Sequence, residues 1–343
     1  MAKIIYLRYG EHYEYALEHT MSLSMTKKTA IFLQLIRIES LVAVALVMGT
    51  FRYAVLGLTL KVHGYSLFVS LVDFLLLVFC VLFTLAAAAI INDYFDVRSD
   101  RINKPSRVIV GRFLSRVEAI LWHSFFNILA VGLGVVFCLR QGLFLWIFSP
   151  FLVTALLWVY SFSLKRKLLI GNILLALLAA SLPILVIYPD LYLLQQYIPE
   201  SVEVIRKVWF NVLLYAVFCF VLFFCGGVLK NLMNEKGNLS MGYHTEPVAW
   251  GVRRTRYLLT VVLVLLQIFV PLYIVFFIPL PDISFLISLG IVVFEGLATL
   301  ALFYLFKGEY RAAYRVVLFT LLAGILCVWI IYCYLLYGCG FSF

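Results

Sequence analysis

Beyond residue 30 this chain alternates apolar runs of bilayer length with short polar connections, and that alternation leaves few folds open to it. A bilayer core takes about 20 apolar residues per helix. Backbone polar groups in lipid must be paired within their own segment, so such runs become helices. The runs fall at roughly 31–51, 67–91, 117–139, 143–163, 171–189, 208–229, 257–280, 283–306 and 315–337, which predicts nine spans. Composition agrees: of 343 residues, 65% are hydrophobic and 13% charged, whereas a soluble domain is nearer half apolar and a quarter charged. The expected fold is an all-α polytopic membrane protein. Residues 31–343 form one nine-helix domain, after a segment 1–30 that could lie on the membrane surface as an amphipathic helix. That segment lacks the apolar core of a signal peptide.

The net charge of +10 is no sign of nucleic-acid binding. Lys and Arg cluster at the ends of apolar runs, which is a topology signal. With nine spans, 22 of them fall on one side of the membrane and five (Arg52, Lys61, Arg140, Arg206 and Lys207) on the other. The positive-inside rule then predicts a cytoplasmic N-terminus and an outer C-terminus. The location is an integral, multi-pass one, in the cell membrane if the host is bacterial. Seven cysteines form no Cys-x-x-Cys pair and lie mostly inside apolar runs, so they read as small apolar fillers.

Two long connections on the cytoplasmic side, 92–116 and 230–256, each begin with a polar triad. In the first, Asp93, Asp96 and Asp100 are spaced i, i+3, i+7, which puts them within about 60° of each other on a helix. Carboxylates beside a bilayer are costly unless a cation holds them. Mg²⁺ with a phosphorylated ligand is the natural occupant, because Mg²⁺ is usually held by one or two carboxylates plus phosphate oxygens. Arg101, Asn103, Lys104 and Arg107 follow at once, as a Mg²⁺–diphosphate complex needs. The same residues also fit a solvated loop whose acids pair with its own bases. In the second connection, Asn231, Asn234 and Asn238 repeat the spacing with amides in place of acids.

The segment Asn92-Asp93-x-x-Asp96-x-x-x-Asp100, followed by Asn103-Lys104-Pro105-Ser106-Arg107, resembles the first aspartate-rich motif of the UbiA superfamily of intramembrane prenyltransferases. Its trailing part is most similar to the branch of geranylgeranylglyceryl-phosphate, chlorophyll-synthase and homogentisate prenyltransferases. Tyr160 with Lys165-Arg166 resembles the family's pattern at the end of helix 4, Gly171-Asn172 the start of helix 5, and Arg37 an arginine often present near helix 1. The second motif departs from the family. Lys230 and Gly237 match, and Thr245, Pro247 and Gly251 follow in register. The three ligand aspartates, however, align with Asn231, Asn234 and Asn238, and an Arg-Glu pair aligns with Gly226-Gly227.

The resemblance implies a nine-helix bundle and transfer of a prenyl group from an allylic isoprenyl diphosphate to a lipophilic or amphipathic acceptor, among membrane lipids and with Mg²⁺ as cofactor. It implies that Asn92, Asp93, Asp96 and Asp100 hold the metal. Asp93, Asp96 and Lys230 act in catalysis. Arg37, Asn92, Lys104, Arg107, Tyr160, Lys165, Asn231, Asn234, Lys236 and Asn238 bind substrate. The amide-substituted second motif leaves open a non-catalytic isoprenoid-phosphate binder or transporter on the same scaffold, and an intramembrane terpene cyclase shares the ionisation step. Among smaller candidates, Arg37 and Glu39 read first as members of an intrahelical or interhelical ion pair. Asp73 reads as an interface residue and His123 as a satisfied interhelical partner. His244 reads first as a solvated loop residue and second as a base for an acceptor, and Glu295 as either a hydrogen-bonded acid or an acceptor contact.

Overall fold

The computed structural model describes residues 25–277 and 284–337, with side chains described for 25–272, 288–326, 328 and 329. Among the described residues, helices account for every extended element, and the only β pairing is an isolated bridge between Val110 and Leu114. Eight helices among them are long and apolar enough to cross a membrane. The ninth expected span, 315–337, falls on the helix Tyr310–Tyr337, whose side chains beyond residue 329 lie outside the described set.

The chain divides into two units. The first comprises Met1–Ala45 and Ser70–Leu164. Its helices are α1 (Met25–Leu35), the start of α2 (Ile38–Val62), α3 (Leu71–Asn103), α4 (Arg116–Arg140) and α5 (Ser149–Phe162). The expected first span, 31–51, is not continuous: the chain breaks between α1 and α2 at Arg37, which has a φ of 56°. Ser70 caps α3 by accepting from the Asp73 N–H, and Ser115 with Glu118 forms a reciprocal capping box on α4. The two helices pack through small residues, as membrane helices do where lipid gives no hydrophobic drive to association. Ala86, Ala87 and Ala119 are buried in that core. A Cβ at Gly134 would stand 2.5 Å from Pro150 Cγ, so only glycine lets α4 and α5 approach there.

The second unit comprises Leu46–Val69 and Lys165–Phe343. It holds the rest of α2, then α6 (Ile170–Tyr197), α7 (Val202–Met233), the short α8 (Glu235–Ser240) and α9 (Glu246–Ala249), α10 (Val252–Phe277), α11 (Ser284–Lys307) and α12 (Tyr310–Tyr337). Its core is built on α7, with Cys225, Val228 and Leu229 packed against Leu259 and Leu305. Cys80, Cys138 and Cys225 are buried free thiols and Cys219 is half-buried, as fillers should be, while Cys327, Cys333 and Cys339 lie outside the described side chains.

α3 and α7 depart from the expected boundaries in a way that matters for function. The apolar run of α3 ends near residue 91, yet the helix continues to Asn103, and α7 runs from Val202 to Met233 rather than 208–229. Both carry the helix past the apolar stretch, and the polar triads ride on or just beyond those extensions.

Candidate functional site

In the first unit, the extension of α3 presents Asp93 and Asp96 one turn apart. Arg37 Nη2 donates to Asp93 Oδ1 at 2.8 Å, and Asn92 Nδ2 donates to Asp96 Oδ2 at 3.0 Å. Of the intrahelical and interhelical pairs open to Arg37 from the sequence, the structure shows an interhelical one, with Asp93, 56 residues away. The left-handed break between α1 and α2 is what aims it there. Desolvation weakens the Arg37 charge, but attraction to Asp93 and the hydrogen bond with it outweigh that, so the guanidinium pKa lies above its ordinary value. Tyr160 on α5 comes within electrostatic range of both Arg37 and Asp96. The fold thus brings Arg37, Asn92, Asp93, Asp96 and Tyr160 together, although they come from three parts of the sequence.

Asp100 lies on the last turn of α3, where its carbonyl accepts from the Lys104 N–H at 2.7 Å. Arg107 is exposed at the end of a short 3₁₀ turn, Pro105–Arg107. The connection that follows is no solvated loop. Val108, Ile109 and Val110 are buried, and the last two belong to the same core as Leu35 and Ala87. Burial of this apolar clip folds the Lys104–Arg107 turn back against the end of α3.

Among the described residues, no three acidic, histidine or cysteine side chains converge to cage a metal. The donor set of the first triad nonetheless fits Mg²⁺, which needs only one or two carboxylates when phosphate oxygens complete its shell. Asp93 and Asp96 would supply that pair.

The second triad is arranged differently. Glu246 is fully buried, with 0% exposure. Its Oε1 accepts from the Leu169 N–H at 2.9 Å and from Asn172 Nδ2 at 3.0 Å, and its Oε2 accepts from Asn231 Nδ2 at 2.7 Å. Asn238 is also buried and donates to Thr245 Oγ1 at 3.4 Å. Asn234 caps the end of α7, Lys230 Nζ stands 5.3 Å from the centre of the Tyr314 ring, and Lys236 is exposed. Lys165 sits in the 3₁₀ turn Leu164–Arg166. The Asn231 and Asn238 N–H groups thus tie the 238–246 turn to α7 and close it, and neutral amides with their N–H ends turned to Glu246 and Thr245 are a poor donor set for a divalent cation.

Sequence reasoning missed Glu246 because Thr245 and Pro247 matched the family pattern and the residue between them was passed over. Its signal is an acid held between a threonine and a proline at the start of a short helix, beside a triad stripped of acids. Sequence reasoning also missed Asp190, which forms a buried ion pair with Arg52 at 3.0 Å in the second unit. His123 behaves as expected, with Nδ1 3.0 Å from the Ala87 carbonyl, and Asp73 pairs with Arg140 between α3 and α4. The His244 side chain is exposed, while its backbone N–H donates to the Arg166 carbonyl. Glu295 accepts from Gln267 Nε2 at 3.1 Å.

Comparison with known proteins agrees with the motif. A sequence profile described as the UbiA prenyltransferase family matches residues 53–305. The digeranylgeranylglyceryl phosphate synthase of Methanosphaera stadtmanae is 24% identical over 56% of this chain and 63% of its own length. The protein of the same name from Pyrococcus horikoshii is 36% identical over 32% of this chain and 38% of its own. The matches thus span less than two thirds of these curated relatives. In structure, a UbiA homolog from Aeropyrum pernix K1 superposes with a TM-score of 0.60 at 15% identity, over 83% of this chain and 96% of that one, which speaks to the fold.

Proposed function

Because the chain belongs to the UbiA prenyltransferase family, we propose that it transfers a prenyl group from an allylic isoprenyl diphosphate to a lipophilic or amphipathic acceptor in the membrane. The observation that carries this reading is the acid pair Asp93 and Asp96 with Arg37 bonded to one of them. Two matched relatives bear the name digeranylgeranylglyceryl phosphate synthase, which supports a phosphoglycerol lipid as the acceptor class.

Asp93 and Asp96, with Asn92 and Asp100 beside them, would hold Mg²⁺, whose charge would stabilise the departing pyrophosphate. Arg37, Lys104 and Arg107 add fixed positive charge for phosphate oxygens. The allylic C–O bond breaks and its electron pair leaves with the pyrophosphate. The acceptor's nucleophilic oxygen then bonds to the allylic carbon and gives up its proton. Fixed charges aimed at the leaving group act where negative charge develops, and they need no reorganisation at that moment. Lys165, Lys230 and Lys236 belong to the proposal through their match to the family pattern, and a cytoplasmic N-terminus through the bias of Lys and Arg between sides.

The test is pyrophosphate release from farnesyl, geranylgeranyl and longer diphosphates by the purified full-length protein with Mg²⁺. Release falls about 10²–10³-fold in Asp93→Ala and Asp96→Ala, the size of effect seen when one transition-state charge contact is removed. Diphosphate binding without release, across chain lengths and acceptors, would identify a non-catalytic binder or carrier. Release without an acceptor, yielding a cyclised hydrocarbon, would identify a cyclase.

A further inference from the structure

The surroundings of Glu246 are built for a negative charge. Three N–H groups point at its two oxygens, from the α6 N-terminus, from the Asn172 side chain and from Asn231 on α7. A carboxylate that only accepts is the form those donors match. Two further features of the fold serve this contact. Gly227 leaves the space: a Cβ there would stand 2.5 Å from Asn172 Oδ1 and push that amide away from Glu246. Leu169 bends to reach it: with a φ of 57°, a conformation that L side chains rarely adopt, it aims its N–H at Glu246 Oε1. The Ile170 N–H closes the same bend on the Leu168 carbonyl at 2.6 Å, a γ-turn of the rare hand.

We propose that Glu246 is the positioning acid of the second unit and that the 226–251 segment holds no divalent cation. The amide at Asn231 donates to Glu246, whose oxygens also take the Leu169 and Asn172 N–H groups, so three donor dipoles turn their positive ends toward the buried acid a cation would need. Three neutral amides bring no charge to overcome that. Two of the departures from the family pattern, glycine at 227 and asparagine at 231, then have one explanation. An acid at either position would crowd or repel the acid at 246. Glu246 acts through the elements it ties together: it fixes the start of α6 to the end of α7, which carries Lys230 and Asn234. This role rests on contacts within the second unit and stands apart from the proposed reaction.

Two measurements on the purified full-length protein test it. The first is the thermal unfolding midpoint of Asn231→Asp, Glu246→Gln and the double exchange. Asn231→Asp sets two carboxylates in contact and lowers the midpoint. The double exchange recovers it, because a glutamine at 246 keeps one oxygen for Leu169 and Asn172 and turns its amide toward the aspartate at 231. An Asn231→Asp midpoint at or above that of the parent, or a double exchange no more stable than Asn231→Asp alone, overturns the proposal. The second is Mn²⁺ binding read by electron paramagnetic resonance in Asp93→Ala/Asp96→Ala protein. No stoichiometric Mn²⁺ is expected to remain. Retained Mn²⁺ that Glu246→Gln then removes would place a cation in this segment and overturn the proposal.

Discussion

Arg37 and Leu169 are the non-glycine residues with positive φ among the described residues, and each delivers a polar group to a buried or half-buried acid. Such a conformation costs about 1–3 kcal/mol and persists where the surroundings over-determine it. Leu169→Gly should therefore leave the thermal midpoint unchanged or raise it. Relief of strain offsets the roughly 0.5–1 kcal/mol that glycine's extra freedom costs. A clear fall in midpoint would show that the Leu169 side chain, and not its backbone, holds the bend. Asp190 raises the stakes for a single side chain further. It is paired with Arg52, with side-chain exposures of 0% and 3%, and it also accepts from the Phe68 and Val69 N–H groups at 2.7 and 2.8 Å. Asp190→Ala would leave a buried guanidinium without its counter-charge and cost about 3–5 kcal/mol, read as a drop in unfolding midpoint.

Helix α3 is 33 residues long, about 50 Å at 1.5 Å per residue, against a hydrocarbon core of about 30 Å. The excess carries Asn92 to Asp100 as ordered helix, which holds Asp93 and Asp96 on one face without a loop's freedom. Arg98→Pro tests this extension. Proline removes a backbone hydrogen bond and clashes with the carbonyl at position 94, at about 3 kcal/mol. Pyrophosphate release should collapse in Arg98→Pro and persist in Arg98→Ala, since Arg98 is exposed and only its backbone is needed. Equal activity of the two would mean that the helical extension does not position the acids. The packing of α4 gives a second test. Gly134→Ala would press a methyl to 2.5 Å from Pro150 Cγ and 3.0 Å from Cys80 Sγ. Overpacking of this kind costs about 1–3 kcal/mol, measurable as a lowered midpoint.

With the proposed metal on the Asp93–Asp96 pair and none on the second triad, Mg²⁺ activation of pyrophosphate release should follow a single-site curve. Sigmoidal activation would point to a second metal. Orientation is checked by maleimide labelling in a background without native cysteines: Arg107→Cys should react only from the cytoplasmic side and Gln141→Cys only from the outside. Much of this protein was readable along the chain. Apolar runs of bilayer length dictate helices because lipid leaves the backbone no other partner, and the spacing of Asp93, Asp96 and Asp100 places them on one face of any helix that runs through them. These are local properties, carried by neighbours within a turn or two. The break at Arg37 escaped the pattern because apolar residues continue through it, and the extension of α3 escaped because polar residues can prolong a helix once it has left the lipid. The partners themselves were beyond local reach. Arg37 meets Asp93 across 56 positions, Asn172 meets Glu246 across 74, and Arg52 meets Asp190 across 138. No periodicity encodes such meetings. They follow from how the helices pack, and that packing alone assigned the Asn231 amide to the internal acid Glu246.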